Sequence, residues 1–233
     1  MSFRERLLAT LAAMQPVLDV ANVLVIGSEV PNLLEHRAAS TLVVSEDVDV
    51  AVPVAQHQAV KTALGSVRGL HRSNDEPSVW SPDSTSLIEV NFVGMDPDLA
   101  RADESYVLAD RELPLLVFGS LSFLRADALR EIDGVRVRLP RPAGLMLEKL
   151  VTDRTGDKGE RDLLVVMGLL LTCGSQDEDE LATLYSTLES DLRHVVRANL
   201  ALLSLMKSHS AMPDPRPHRA RLAALLQRLE AKP

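Results

Sequence analysis

The spacing of three acidic residues could place their carboxylates on one face of a β-sheet. Asp47 and Asp49 are separated by one residue, and Glu89 lies in a second alternating segment further along the chain. Alternate side chains of a strand share a face, about 7 Å apart. Two carboxylates this close repel each other unless a cation lies between them, and Mg²⁺ accepts a few carboxylates together with waters and substrate phosphates. If the two strands are neighbours, the three acids form a cluster that can hold two metal ions for in-line displacement at a phosphorus atom.

A glycine and a serine follow an apolar segment earlier in the sequence. Residues 23–26 are typical of a buried strand that stops at Gly27, and a helical segment through Leu33 and Leu34 follows Ser28. Glycine allows close approach of the backbone, and the Ser28 hydroxyl with the following amides can meet phosphate oxygens. A Gly-Ser pair alone is weak evidence. The informative feature is the order of strand, Gly-Ser, helix, Asp-x-Asp strand and acidic strand.

Hydrophobic periodicity predicts the elements that position these residues. Alternation of apolar and polar residues predicts strands over 47–52, 87–92 and 135–139, and 41–44 is loosely strand-like. An opening helix is predicted from one stripe of apolar residues, namely Leu7, Leu8, Leu11 and Met14. A further helix is predicted over 56–65. Between these segments the turn residues Gly and Pro end each element.

The pattern changes near Pro140, after which almost every segment has helical period. Helices are predicted through 145–151, from Asp157 with Glu160 in a capping box, from Ser175 with Glu178, over 191–207 and over 217–229. We therefore predict an α+β protein. Residues 1–140 form a small mixed β-sheet head with flanking helices, and residues 141–233 form a helical bundle.

Composition excludes several classes of function. Among 233 residues, 46% are hydrophobic, which suffices for a sizeable core, and only 3% are aromatic, which argues against base-stacking platforms for single strands. The formal net charge of −8 disfavours a protein whose main task is coating nucleic acid. Cys173 is the only cysteine, so no internal disulfide forms and a reducing cytoplasm is expected. No signal peptide or membrane-spanning run is recognisable, and no membrane partner is expected.

The order of motifs resembles the nucleotidyltransferase superfamily, which has the minimal fold of DNA polymerase beta. The match runs through Gly27-Ser28, Asp47-Val48-Asp49 and Glu89, within roughly the first hundred residues. The resemblance implies transfer of a nucleoside monophosphate from a nucleoside triphosphate, with Mg²⁺ or Mn²⁺ as the cofactor. In it, Asp47 and Asp49 hold the metals, Glu89 assists the acceptor, and Gly27-Ser28 holds the triphosphate.

Two segments after the head look like those of abortive-infection toxin nucleotidyltransferases. They are Leu147-Glu148-Lys149-Leu150 and the later Lys158-Gly159-Glu160-Arg161-Asp162-Leu163. By this resemblance Lys149 contacts the triphosphate, Asp162 completes the site, and an antitoxin or regulatory partner is implied. The acceptor is an RNA such as tRNA, a protein hydroxyl or a small molecule. In one departure, Ile26 replaces the first of two glycines in the turn, so the alternative is a catalytically degenerate member that binds or regulates.

Each candidate residue also has a purely structural interpretation. Taken alone, Asp47 and Asp49 are more typical of an edge strand with a charged solvent face, and the Gly-Ser turn together with Glu89 shifts the interpretation towards a metal site. Lys149 suits the solvated face of a helix as well as a triphosphate. Asp162 suits the first turn of a helix, where an acid interacts favourably with the helix dipole. Cys173 has no neighbouring His or cation in sequence, which favours a buried structural thiol over a nucleophile.

Overall fold

The computed structural model describes residues 1–34, 47–99, 101–152, 157–207 and 216–231. These residues form two compact units. One contains Met1–Val30 and Ser45–Pro140, and the other contains the remaining described residues, which are 31–34 and those after Pro140. The fold class is α+β, as predicted. The strand expected over 41–44 and the side chain of Lys158 lie outside the described residues, and the division into two domains stays a prediction.

Helices and strands alternate before Arg141, and they contain a number of elements that the sequence pattern did not predict. In chain order they are α1 Phe3–Ala13, α2 Gln15–Leu18, β1 Leu24–Ile26, α3 Val30–Leu34, β2 Asp47–Pro53, α4 His57–Leu64, β3 Leu70–Arg72, β4 Val79–Pro82, β5 Glu89–Met95, β6 Ser105–Leu108, β7 Leu115–Phe118, β8 Arg130–Ile132 and β9 Val135–Val137. Short 3₁₀ helices occupy Gly27–Glu29, Val54–Gln56 and Gly119–Phe123.

The main sheet has the strand order β1-β2-β5-β4-β3, and β7 pairs with the end of β5 and with β6. Strand β2 is antiparallel to β1 and parallel to β5. It is therefore an interior strand, and its interpretation as an edge strand is wrong. The apolar side chains of β2 explain this place, because Val48, Val50 and Val52 are fully buried on the face opposite the two acids.

Strand β4 brings the only tryptophan of the chain onto the central strand β5. Trp80 is the register partner of Val90, and its ring meets the ring of Phe92 edge-on, with the centroids 6.5 Å apart. Such aromatic contacts contribute about 0.5–1.5 kcal/mol beyond the buried area. The pair thus supports the strand that carries Glu89.

A buried threonine fixes the opening helix to the start of β5. The Thr10 hydroxyl donates to the carbonyl of Arg6 at 2.9 Å and accepts from the amide of Ile88 at 2.9 Å. Thr10 is fully buried, so both bonds are shielded from water. Because Ile88 directly precedes Glu89, the bond determines where helix α1 lies relative to that acid.

The predicted strand over 135–139 is shorter, and it does not join the sheet that carries the acids. Strand β9 pairs with β8 in a two-stranded hairpin, and the carbonyl of Arg138 just after it accepts from the amide of Val25 in β1 at 3.0 Å. The Gln15 side chain holds this hairpin to α2, because its amide donates to the carbonyl of Arg136 at 3.0 Å and its oxygen accepts from the amide of Arg136 at 3.0 Å. Alternation alone identified a strand but not its partner.

An aspartate and a lysine order the loop before β7. The Asp110 Oδ1 atom accepts from the amides of Glu112 and Leu113, both at 2.8 Å. Lys61 Nζ lies 2.9 Å from Asp110 Oδ2 and 2.9 Å from Glu112 Oε2. The hydrogen bond from Lys61, followed by the two backbone donors, holds the pKa of Asp110 well below its usual range.

Asp110→Asn is expected to lower the free energy of unfolding at neutral pH by about 1–2 kcal/mol, because two backbone amides and Lys61 lose a charged acceptor. The folded-state pKa of Asp110 lies below its unfolded value of about 3.9, so its contribution is present above about pH 4 and is lost as the pH falls. Urea unfolding of both proteins between pH 7 and pH 3 measures this. The difference in the free energy of unfolding between the wild type and Asp110→Asn should shrink as the pH falls. A difference that does not change with pH would contradict this role of Asp110. Asp98→Asn, at an exposed acid of the same unit, is the matched control.

Among the described residues after Pro140, the regular elements are helices. They are α5 Pro142–Val151, α6 Asp157–Thr172, α7 Ser175–Ser186, α8 Ser190–Leu205 and α9 Arg219–Ala231, with a 3₁₀ helix at Arg216–His218. Helix α5 is buried along nearly its whole length and contacts α6, α7 and α8. It begins with Pro142, whose missing amide hydrogen costs nothing in a first turn. Among the described residues, no helix is both long enough and apolar enough to cross a membrane.

The start of α7 differs in detail from the prediction. Gly174, not Ser175, is the N-cap, and Asp177 Oδ2 accepts from its amide at 2.9 Å. Glu178 instead accepts from Arg221 of α9 at 2.8 Å. The same arginine donates to the carbonyl of Cys173 at 2.8 Å. Cys173 is buried, as predicted, and burial raises the pKa of its thiol to about 12.

Candidate functional site

The acids of the two alternating strands lie side by side. In the parallel pairing of β2 with β5, Asp47 is the partner of Glu89 and Asp49 is the partner of Asn91. Paired residues of neighbouring strands point to the same face, so the four side chains share one face of the sheet. The two strands are neighbours, which is the condition on which the expected grouping of the three acids depended. Asp47 and Asp49 are half-buried, and Glu89 is exposed.

An asparagine joins the two aspartates, and the sequence analysis did not single it out. Asn91 Nδ2 donates to Asp47 Oδ2 at 2.7 Å and to Asp49 Oδ1 at 3.4 Å. The two amide hydrogens reduce the repulsion between the carboxylates and fix their orientation. Asn91 lies two residues after Glu89, so the alternation that placed Glu89 on this face also placed Asn91 there. Because the Asn91 side chain is an uncharged amide, its residue type did not mark it as a candidate for the site.

The turn after β1 contacts Asp49 through a glycine. Gly27 has φ +83°, a conformation that L side chains rarely adopt. A Cβ atom at this position would lie 2.6 Å from Asp49 Oδ2, so that either the carboxylate or the turn would have to move. Glycine is therefore needed for the backbone conformation and for the place of the carboxylate. The register of β1 with β2 explains the contact, because Ile26 is the partner of Asp49.

The serine of the same turn bonds to the next residue. Ser28 Oγ donates to Glu29 Oε1 at 2.9 Å, and Glu29 is 1% exposed. A phosphate bound at this turn would have to compete with Glu29 for the Ser28 hydroxyl. Glu29 is thus a second residue that the sequence analysis missed, although an acid directly after Gly-Ser is visible in the sequence.

A cavity of about 520 Å³ lies beside Glu89. Its polar lining includes Arg6, Asp83, Ser84, Thr85 and Glu89. Asp83 is engaged by the imidazole of His71, with Nδ1 2.6 Å from Oδ1. A guanidinium, two hydroxyls and a carboxylate are donors and acceptors that suit a polar, hydroxyl-bearing ligand.

The ligand chemistry of the aspartate pair suits a hard cation. Carboxylate oxygens are the ligands that Mg²⁺ prefers, and it completes its shell with waters and phosphate oxygens. Within the described ranges, no group of three or more His, Cys, Asp or Glu side chains is arranged to hold a metal ion. The observed arrangement is a carboxylate pair with an amide bridge and a third acid one strand away. Metal binding by Asp47, Asp49 and Glu89 stays a prediction.

The two remaining candidates, Lys149 and Asp162, come together in the helical unit. Lys149 Nζ lies 3.4 Å from Asp162 Oδ1 and 3.1 Å from Glu148 Oε2. All three side chains are nearly buried, between 4% and 11% exposed. Lys149 is therefore not a solvating residue of a helix surface. A buried lysine between two carboxylates is stabilised by both, and Glu148 is the partner that the sequence analysis did not identify.

Comparison with known proteins finds likeness among solved structures. No protein-family model matches the chain, and a search of curated proteins finds no significant relative. Among solved structures, the chain is similar to that of an antigenic nucleotidyltransferase-like protein from Paracoccidioides brasiliensis. The TM-score is 0.46 and the identity is 15%, over 97% of this chain and 94% of that chain.

Proposed function

We propose that this protein is a nucleotidyltransferase that moves a nucleoside monophosphate from a nucleoside triphosphate to an acceptor, with Mg²⁺ or Mn²⁺. The observation that carries the proposal is the half-buried pair Asp47 and Asp49 on one face of an interior strand, with a glycine turn against Asp49. Half-buried carboxylates at such spacing are costly unless a cation or donors balance them. The acceptor is an RNA, a protein hydroxyl or a small molecule.

In the proposed reaction, an acceptor oxygen forms a bond to the α-phosphorus while the bond from this phosphorus to the leaving oxygen breaks and pyrophosphate departs. Asp47 and Asp49 would hold the cation, which when bound would neutralise charge on the phosphate oxygens. Glu89 lines the cavity next to the pair, where the acceptor hydroxyl is placed, and takes its proton. Asn91 keeps the two aspartates in position.

The turn at Gly27 and Ser28 is proposed to hold the triphosphate. Its support is the close approach of Gly27 to Asp49, because phosphates held here would lie next to the cation-binding oxygens. For Lys149 and Asp162, triphosphate binding rests on the family resemblance alone. A toxin-like role with an antitoxin partner has the same basis.

A catalytically degenerate protein that binds or regulates is the alternative. Asn91 favours it, since its amide already donates to both aspartates and so balances the charge that a cation would balance. The engagement of Ser28 with Glu29 points in the same direction.

Labelled triphosphates distinguish these functions. The protein is incubated with Mg²⁺, a cell extract and each of the four ribonucleoside triphosphates, labelled either at the α- or at the γ-phosphorus. A nucleotidyltransferase gives an acceptor that gains the α-label and not the γ-label. Calorimetry with triphosphate and Mg²⁺ is performed in parallel. Binding without transfer would favour the degenerate protein, and neither binding nor transfer would overturn the proposal.

A further inference from the structure

A second cavity lies wholly within the helical unit and is rich in basic side chains. Its volume is about 340 Å³, at the lower end of the range for small-molecule sites, about 300–1,000 Å³. Helix α8 supplies Ser190, Arg193, His194 and Arg197, helix α7 supplies Tyr185, and α9 supplies Glu230. None of these residues belongs to the aspartate site described above.

Helical spacing aligns the donors of α8. Ser190, Arg193 and Arg197 stand at positions i, i+3 and i+7, which share one face of a helix. His194 follows at i+4 and widens the same face. Two guanidinium groups, an imidazole and a hydroxyl therefore converge on one cavity. The buried Tyr185 forms part of the wall, 3% exposed.

The acids around this cavity balance only part of its positive charge. Glu230 is the acid in the lining, and its Oε1 atom lies 3.6 Å from Arg197 Nε. Arg193 is half-buried, and within the described part of the chain no carboxylate forms an ion pair with it. In a protein with a formal net charge of −8, a cavity with two arginines against one glutamate is a local exception. Its charge is complementary to an anion.

We propose that this cavity binds a phosphate ester. The planar guanidinium donates two parallel hydrogen bonds to phosphate oxygens, and Arg193 is available for this in the structure. The Ser190 hydroxyl and the His194 ring supply further donors on the same face. Arg197 exchanges its long contact with Glu230 for the phosphate. The cavity accepts a phosphate with a small organic group, whether from a free nucleotide or from the terminal phosphate of an RNA.

A titration with inorganic phosphate tests the site itself. Amide NMR signals of Ser190 to Arg197 should shift on addition of phosphate at constant ionic strength, and not on addition of chloride. Arg193→Gln should weaken the binding about tenfold, since it removes a charged bidentate donor. Lys207→Gln, which removes an exposed cation of the same unit away from the cavity, should leave the binding unchanged.

The Glu230→Gln variant should change the phosphate affinity in the opposite direction to Arg193→Gln. It removes the acid that competes for Arg197, so phosphate should bind several-fold more tightly. A purely structural role of the arginines predicts no gain in this variant. No phosphate-specific shift in α8, or equal affinity in all four proteins, would overturn the proposal.

Two further ligands identify the source of the phosphate. Adenosine monophosphate represents the free ester, and a short 5′-phosphorylated oligoribonucleotide represents the nucleic-acid end, with its 5′-hydroxyl form as the control. Tighter binding of the monophosphate assigns the site to a small molecule, and tighter binding of the 5′-phosphorylated strand over its control assigns it to an RNA end. None of the residues that line this cavity belongs to the aspartate site, so Asp49→Asn should not alter the phosphate-induced shifts in α8.

Discussion

Asp49→Asn is expected to abolish nucleotidyl transfer, with a loss of about a thousandfold or more. In the proposed reaction, carboxylates that hold a cation at the transferred phosphate would supply several kcal/mol of transition-state stabilisation, and about 1.36 kcal/mol corresponds to each tenfold. The amide has the shape of the carboxylate, and the interior strand β2 keeps its pairing with β1 and β5. The fold should therefore survive, and the melting temperature should change little.

The measurement is transfer of the α-label under saturating Mg²⁺ and triphosphate, with circular dichroism to verify the fold. Asp98→Asn removes the same charge at an exposed position of the same unit and should retain full transfer. Calorimetry adds a readout apart from turnover, because Mg²⁺-dependent binding of the triphosphate should weaken in Asp49→Asn. Full transfer by this variant would exclude the aspartate pair as the catalytic centre.

Gly27→Ala is expected to reduce transfer by about a hundredfold and to destabilise the protein. The positive φ of +83° costs a non-glycine residue about 1–2 kcal/mol. The added methyl group would also lie 2.6 Å from Asp49 Oδ2, so the carboxylate must move. A displacement of about 1 Å at a reacting centre costs about a hundredfold in rate.

Gly134→Ala separates the two effects of this substitution. Gly134 has nearly the same conformation, with φ +84°, but a Cβ atom there would meet nothing within 4 Å. The Gly134→Ala variant should lose a similar amount of stability through backbone strain, and it should retain nucleotidyl transfer. If both variants kept equal activity, the contact between Gly27 and Asp49 would have no catalytic importance. If both variants lost transfer activity equally, backbone strain alone would explain that loss.

Local periodicity was sufficient to predict which strands carry the acids of the candidate site. Alternation identified β2 and β5 and placed Asp47, Asp49 and Glu89 on the faces where the structure has them. It could not predict that Asn91 bridges the aspartates, because that contact requires the register between two strands distant in sequence. The role of Gly27 against Asp49 depends in the same way on the register of β1 with β2.

Other elements were missed for physical reasons that differ from one another. Strand β4 is half-buried throughout and β6 is largely exposed, so neither shows the alternation that marks a strand with one buried face. Strand β9 alternates, but the strand with which it pairs is β8 of the same hairpin. In the helical unit, the helices were predicted by period, whereas the ion cluster of Lys149 depends on the packing of α5 against α6. Packing between helices leaves no period in the sequence.

The place of Trp80 makes the assembly of the candidate site observable in real time. Strands β2 and β5 are parallel and a helix and two strands separate them in the chain, so their pairing is a non-local event and folds slowly. Trp80 lies against β5 through Val90 and Phe92, and no second tryptophan contributes emission. Stopped-flow refolding followed by tryptophan emission therefore times the formation of the strand that brings Asn91 to the two aspartates.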